Sequence, residues 1–196
     1  MSPLRLLVVG VGGQGVLTVA RILGDAAVRA GLEVVVGQLH GMAQRGGSVE
    51  ASVLIGTGIH SSFVELADVV LGFEPLEVLR ALPRIGPASR VLINRGRVVP
   101  FPLSMAGEPY PDVDGIVARV REVTPHVVEI DGPGLLEELG EARSLNLLML
   151  GALAGLEGLL PLDEPTLRAA LERRGGVARR EANLRAYEMG RRAAAG

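Results

Sequence analysis

The sequence predicts an α/β protein: a three-layer α/β/α arrangement with a mostly parallel, Rossmann-like central sheet and a helical C-terminal part packed on it. Three observations carry that expectation. Short apolar runs closed by glycine alternate with stretches of helical spacing as far as residue 133, the signature of buried parallel strands joined by helices. A glycine cluster, Gly10-Val11-Gly12-Gly13-Gln14-Gly15, falls where the first strand gives way to the first helix. From residue 134 onward strand signals stop and only helical patterns remain. The length of 196 residues suits one domain over 1–196, with a sheet region at 1–133 and a helical region at 134–196, because domains usually run to about 100–200 residues.

The first strand is Leu4 to Val9, apolar without alternation. Val16, Val19, Ala20, Leu23, Ala26, Ala27 and Ala30 then recur at helical spacing with Thr18, Arg21, Asp25 and Arg29 opposite, and Gly31 stops the helix. Leu32 to Val36 reads as the second strand, completing a βαβ unit with a right-handed crossover. Periodicity is lost from Gly37 to Gly47, which predicts a loop. Ser48 to Ile55 resumes as a strand, paired with or neighbouring the second, and ends at the turn signal Gly56-Thr57-Gly58. Ala67 to Phe73 is a further buried strand, followed by a helix starting at Glu74-Pro75. Ser89 to Asn94 is another strand, and Pro100 to Pro111, with four of the twelve prolines, reads as an extended loop. Val113 to Val123 is helical and Val127 to Asp131 is the last strand. The helical region comprises Leu135–Glu141, Leu145–Leu160, Thr166–Arg174 and Val177–Arg192.

Composition excludes several function classes. The chain has no cysteine, so it offers no thiolate for an iron–sulfur cluster, a zinc site or nucleophilic catalysis. All twenty basic residues are arginine, which removes Schiff-base chemistry and a P-loop lysine. A net charge of -2, no tryptophan, two tyrosines and three phenylalanines give no basic surface and few stacking platforms, so neither nucleic acid nor a membrane is expected as partner. The N-terminal apolar run is too short for a signal-peptide core, and the Leu145–Leu160 segment of 16 residues falls short of the ~20 needed to span a bilayer. A cytoplasmic location is expected.

Gly10 to Gly15 satisfies GxGxxG spacing between a strand and a helix, where glycines let a backbone approach a diphosphate and a helix N-terminus offers unpaired N–H donors. The same spacing also serves a tight βα turn that binds nothing. A nicotinamide dinucleotide site asks further for an acidic residue where the second strand ends, but that strand ends in Gly37-Gln38 and Glu33 lies at its start. The segment His40-Gly41-Met42-Ala43-Gln44-Arg45-Gly46-Gly47-Ser48 sets a guanidinium beside two glycines, a way to present an anion clamp or an interface anchor. His60 and His126 read as ordinary structural or surface residues. Asn146, inside an apolar helix, reads as a core amide bonded to a neighbouring loop, and Gly151 and Gly155 as a close helix contact, internal or between subunits. No Ser-His-Asp set, carboxylate pair or nucleophile elbow can be assembled.

In order along the chain, Gly10-Val11-Gly12-Gly13-Gln14-Gly15-Val16, the stretch His40 to Val49, Asn146 to Leu153, and Asn183, Ala186, Tyr187 and Gly190 resemble the gamma-type subunit or domain of 2-oxoacid:ferredoxin oxidoreductases, and among them the beta subunit of the indolepyruvate enzymes. The resemblance implies oxidative decarboxylation of an arylpyruvate with coenzyme A, giving the acyl-CoA, carbon dioxide and reduced ferredoxin. It places thiamine diphosphate and the iron–sulfur clusters in a large partner subunit, with ferredoxin reached through the complex. This chain is expected to be inactive alone, to hold no cofactor unaided, to help contact coenzyme A, and to have no residue acting as acid, base or nucleophile. Gly12, Gly13, Gln14, Gly15, Gln44, Arg45 and Gly46 form the expected functional surface, and no metal ligand is expected. Self-association is left open. Two other readings compete: a small NAD(P)-dependent reductase using the glycine turn, and a non-catalytic interaction subunit with purely structural glycines.

Overall fold

A computed structural model describes residues 3–40, 46–99, 105, 107, 109–173 and 177–195. Six strands, β1 (Leu4–Val11), β2 (Val34–His40), β3 (Ser48–Ile55), β4 (Ala67–Gly72), β5 (Ile85–Asn94) and β6 (Val127–Ile130), form one sheet in the order β2-β3-β1-β4-β5-β6. Strands β1, β4, β5 and β6 are parallel. Strand β3 is antiparallel to both β1 and β2, running from Leu4 opposite Ile55 to Val11 opposite Ser48 on one side and from Val34 opposite Ile55 to His40 opposite Val49 on the other.

The sheet is therefore mostly parallel, as the alternation of elements predicts, with one local difference. The β1–helix–β2 unit exists, but its strands are not neighbours, because the chain doubles back after β2 and β3 takes the place beside β1. Strand β2 also runs on to His40 instead of ending at Val36, so the expected Gly37–Gly47 loop begins only after His40. Gly37 hides this extension from periodicity: it pairs with Ser52, and a Cβ there would come within 2.5 Å of the Ser52 hydroxyl and 2.6 Å of Ser62 Cβ. Being an edge strand, β2 also leaves Leu39 65% exposed, which blurs the apolar pattern.

The helices are α1 (Val16–Arg29), α2 (Pro75–Arg80), α3 (Val113–Arg121), α4 (Gly132–Leu139), α5 (Leu145–Gly155), α6 (Glu164–Glu172) and α7 (Val177–Ala195). Alternate residues of β1 define the two cores. Leu6 and Val8 join Val53, Leu71 and Leu92 under α1, α5, α6 and α7, whereas Leu7 and Val9 join Val70, Val91 and Ile93 under α2 and α3. Helix α5 is buried at every position from Leu147 to Leu153, as its apolar composition demands. It stops at Gly155, not Leu160, since Leu156 is already extended at φ -84, ψ 94.

Helices α5 and α7 meet backbone to backbone. A Cβ on Gly151 would overlap the Tyr187 carbonyl oxygen, and one on Gly190 would overlap that of Leu148. The glycine spacing in α5 thus serves internal packing. Among the described residues no helix is long and apolar enough to cross a membrane.

Candidate functional site

Parallel strands deliver their C-terminal ends to one edge of the sheet, where open α/β folds hold their ligands. Here that edge gathers the Gly10–Gly15 turn after β1, Phe73-Glu74 after β4, Asn94 at the end of β5 and Asp131-Gly132 after β6. The antiparallel course of β3 adds its own beginning to the same edge: the Gly12 N–H donates to the Gly47 carbonyl at 2.8 Å. The structure thus brings Gly46, with its left-handed φ of 72°, beside Gly12, Gly13, Gln14 and Gly15. Gln44 and Arg45 lie outside the described residues, as do Gly41, Met42 and Ala43.

Not every group in the turn faces outward. Gln14 is spent internally: its Oε1 accepts from the Val11 N–H at 2.7 Å and its Nε2 donates to the Phe73 carbonyl at 3.1 Å. The Gln14 backbone N–H is taken by the Val11 carbonyl at 3.1 Å. With the Gly12 N–H also engaged, the free donors of the turn are Gly13 and Gly15, followed by Val16 and Leu17 in the first turn of α1, none of which finds a backbone acceptor among the described residues. Gly15 is the N-cap of α1 at φ 89°, with no capping side chain. Its conformation suits glycine, and a Cβ would lie 2.7 Å from Asn146 Cβ.

Asn146 is thus not a core amide. It is half-buried in the first turn of α5, against the glycine turn, and lines a cavity of about 450 Å³ between α1, α5 and α7.

Several residues that tie this edge together carried no recognisable spacing. Asn94, 1% exposed, donates from Nδ2 to the same Phe73 carbonyl at 2.8 Å and accepts from the Gly96 N–H at 3.1 Å. Two amides from different strand ends thus converge on one carbonyl. Glu74 is completely buried; its carboxylate accepts from the N–H groups of Glu77 at 3.2 Å and Val98 at 3.3 Å, and from the Tyr110 hydroxyl. Burial pushes the Glu74 carboxyl up, against the Tyr110 hydrogen bond that opposes the shift. Burial, reinforced by that carboxylate, holds the Tyr110 phenol far above its ordinary range. Nearby, Ser48 donates to Glu77 at 2.6 Å and Arg80 pairs with Glu77 at 2.5 Å. A polar residue at a strand end, or a glutamate preceding Pro75, was the only available hint of this network.

The topology works against a dinucleotide site. With β3 interposed, the end of β2 stands two strand spacings, about 10 Å, from β1, and it carries Gln38 and His40 instead of a carboxylate. His60 and His126 are exposed, and among the described residues no group of His, Asp and Glu could hold a metal ion.

The sequence matches the family described as pyruvate ferredoxin/flavodoxin oxidoreductase over residues 5–193. It is 38% identical over 193 residues, 97% of both chains, to the indolepyruvate oxidoreductase subunit IorB of Methanothermobacter thermautotrophicus. Among solved structures, the keto/oxoacid ferredoxin oxidoreductase gamma subunit of Geobacter sulfurreducens superposes with a TM-score of 0.71 at 20% identity, over 97% of this chain and 98% of that one. A 2-oxoglutarate:ferredoxin oxidoreductase from Magnetococcus marinus, with 2-oxoglutarate, coenzyme A and succinyl-CoA bound, gives a TM-score of 0.76 at 23% identity, over 99% of this chain and 31% of that one. These two structures establish likeness of fold.

Proposed function

The chain belongs to the pyruvate ferredoxin/flavodoxin oxidoreductase family, and on that premise we propose that it is the small subunit of an arylpyruvate:ferredoxin oxidoreductase, the reaction being oxidative decarboxylation of a substrate such as indolepyruvate to its acyl-CoA. The observation that carries this reading is the end-to-end match to an indolepyruvate oxidoreductase subunit, covering 97% of both chains.

Composition supports the division of labour. Without cysteine this chain has no thiolate for a cluster, so the large partner holds the iron–sulfur centres, and with them thiamine diphosphate, which supplies the carbanion chemistry. The contribution of this chain is a shaped wall. Gly13 and Gly15 offer N–H donors to an anionic group of coenzyme A, and Arg45, next to Gly46 in the sequence, supplies a positive charge. The Gln14 and Asn94 amides hold that edge rigid by gripping the Phe73 carbonyl. None of these residues is placed to act as acid, base or nucleophile.

Co-expression with a cluster-bearing large subunit tests the reading. A stable complex should co-purify and reduce ferredoxin only when arylpyruvate and coenzyme A are both present, while the isolated chain turns over nothing. Turnover by the isolated chain, or failure to bind any such partner, would overturn it.

A further inference from the structure

The two edges of the sheet are guarded unequally. At one, β6 has only 4 residues, and its Glu129 is gripped by Arg95 and Arg121; shortness and charge are the usual protections of a strand edge. At the other, β2 runs for 7 residues in unbroken register with β3, with no proline and no acidic or basic side chain from Val34 to Leu39.

The ladder fixes which backbone groups this edge presents. The Gly56 N–H donates to the Glu33 carbonyl at 2.9 Å, one step before Val34 stands opposite Ile55. Opposed residues of antiparallel strands alternate between bonded and non-bonded pairs. Val35, Gly37 and Leu39 therefore turn their N–H and C=O groups toward β3, while Val34, Val36, Gln38 and His40 turn theirs outward, where no further strand lies among the described residues. The outward residues are spaced evenly about Gly37. A second β2 laid antiparallel, Gly37 facing Gly37, sets Val36 against Gln38 and Val34 against His40, and every outward group is paired.

The side chains along the edge suit the same partner. On the face away from α1, Val35 of one copy meets the exposed Leu39 of the other, and the exposed Phe63 follows Ser62, which packs on Gly37. On the α1 face Gly24 packs on Val36, and Val28, one turn further along the same side of the helix, is exposed. A bare strand pair is marginal in water, and these apolar flanks add the buried area that a stable dimer needs. With no charge between Val34 and Leu39, identical edges meet without repulsion, which suits a two-fold contact.

We propose that β2 is a self-association edge, through which two copies of this chain pair antiparallel about Gly37 and merge their six-stranded sheets into one. The contact is built from this chain alone and goes beyond the function proposed above.

Sedimentation velocity of the full-length chain is the test, and a species of twice the chain mass is expected at micromolar concentration. Leu39→Lys adds a charge at an exposed position, and Gln38→Pro removes an N–H that faces away from β3. Each should weaken dimerisation at least tenfold with circular dichroism retained, while Val99→Ser, an exposed position beyond β5, leaves it unchanged. Register is read by oxidation. Since the chain has no cysteine, Val35→Cys/Leu39→Cys should yield a covalent dimer, and Leu39→Cys alone should not. A parent chain that stays monomeric at millimolar concentration, a dimer indifferent to both edge variants, or a double variant that stays uncrosslinked would overturn the proposal. So would protection of β2 from hydrogen exchange only on addition of the large subunit, which would give the edge to a strand of that subunit. An inactive complex bears on the proposed function and leaves this dimer standing.

Discussion

The two helical layers differ in kind. On one side of the sheet five helices pack through apolar surface, with α5 buried from Leu147 to Leu153 and in backbone contact with α7 at Gly151 and Gly190. On the other, α2 of 6 residues and α3 of 9 cover less, and the layer is stitched by ionisable groups: Glu74 with Tyr110, Glu77 with Ser48 and Arg80, and Glu50 with Arg84. The thin side also leaves Phe63 70% exposed beside a buried Val64. The thick layer adds backbone-close packing to ion pairs of Glu164 and Glu188 with Arg168 and Arg191, whereas the thin one joins a smaller apolar core to polar bonds that include a fully buried carboxyl.

Steric insult should break the thick layer hardest. Gly151→Val would drive a side chain into the α7 backbone and is expected to cost about 3 kcal/mol, read as a fall in the urea midpoint. On the thin side, Glu74→Ala strands the Val98 N–H and the Tyr110 hydroxyl and should cost about 2 kcal/mol, with helical circular dichroism largely retained. Gln14→Ala, which frees the Phe73 carbonyl from one of its two amides, should cost about 1 kcal/mol; if the edge docks the large subunit, assembly falls more than this loss explains.

Acidity sharpens the contrast further. A carboxyl whose folded pKa is raised binds its proton more tightly in the fold than in the unfolded chain, so Glu74 lowers stability as pH climbs from its ordinary value of 4.5 through the raised one. Glu74→Gln should flatten that decline, seen by comparing urea midpoints across the window. The smallest effect belongs to the thick layer. Tyr187 is fully buried, yet its hydroxyl has no partner among the described residues, and burial pushes the phenol up to about 12. Tyr187→Phe should change stability by no more than about 0.5 kcal/mol, and a large loss would reveal a water bridging the hydroxyl.

What the sequence disclosed follows the same divide. Strand β3 begins and ends where its alternation places it, α1 starts where its apolar stripe begins, and the fold class follows from the order of such elements. The glycine turn was legible because a βα junction needs its residues within one short segment. Glu74, Tyr110 and Asn94 were not, since their partnerships cross 21–36 positions of chain and no local period encodes them. The place of β3 between β1 and β2 was equally silent, because hydrophobic alternation fixes which face a strand buries and leaves its neighbours undetermined.

That insertion has a consequence for synthesis. Among the described residues, strand β2 pairs only with β3, and β1 only with β3 and β4. A growing polypeptide that has released residues 1–40 therefore holds two apolar strands with no complementary edge for either, the condition in which strands recruit foreign chains. The interval closes only when β3 is complete at Ile55 and can pair with both.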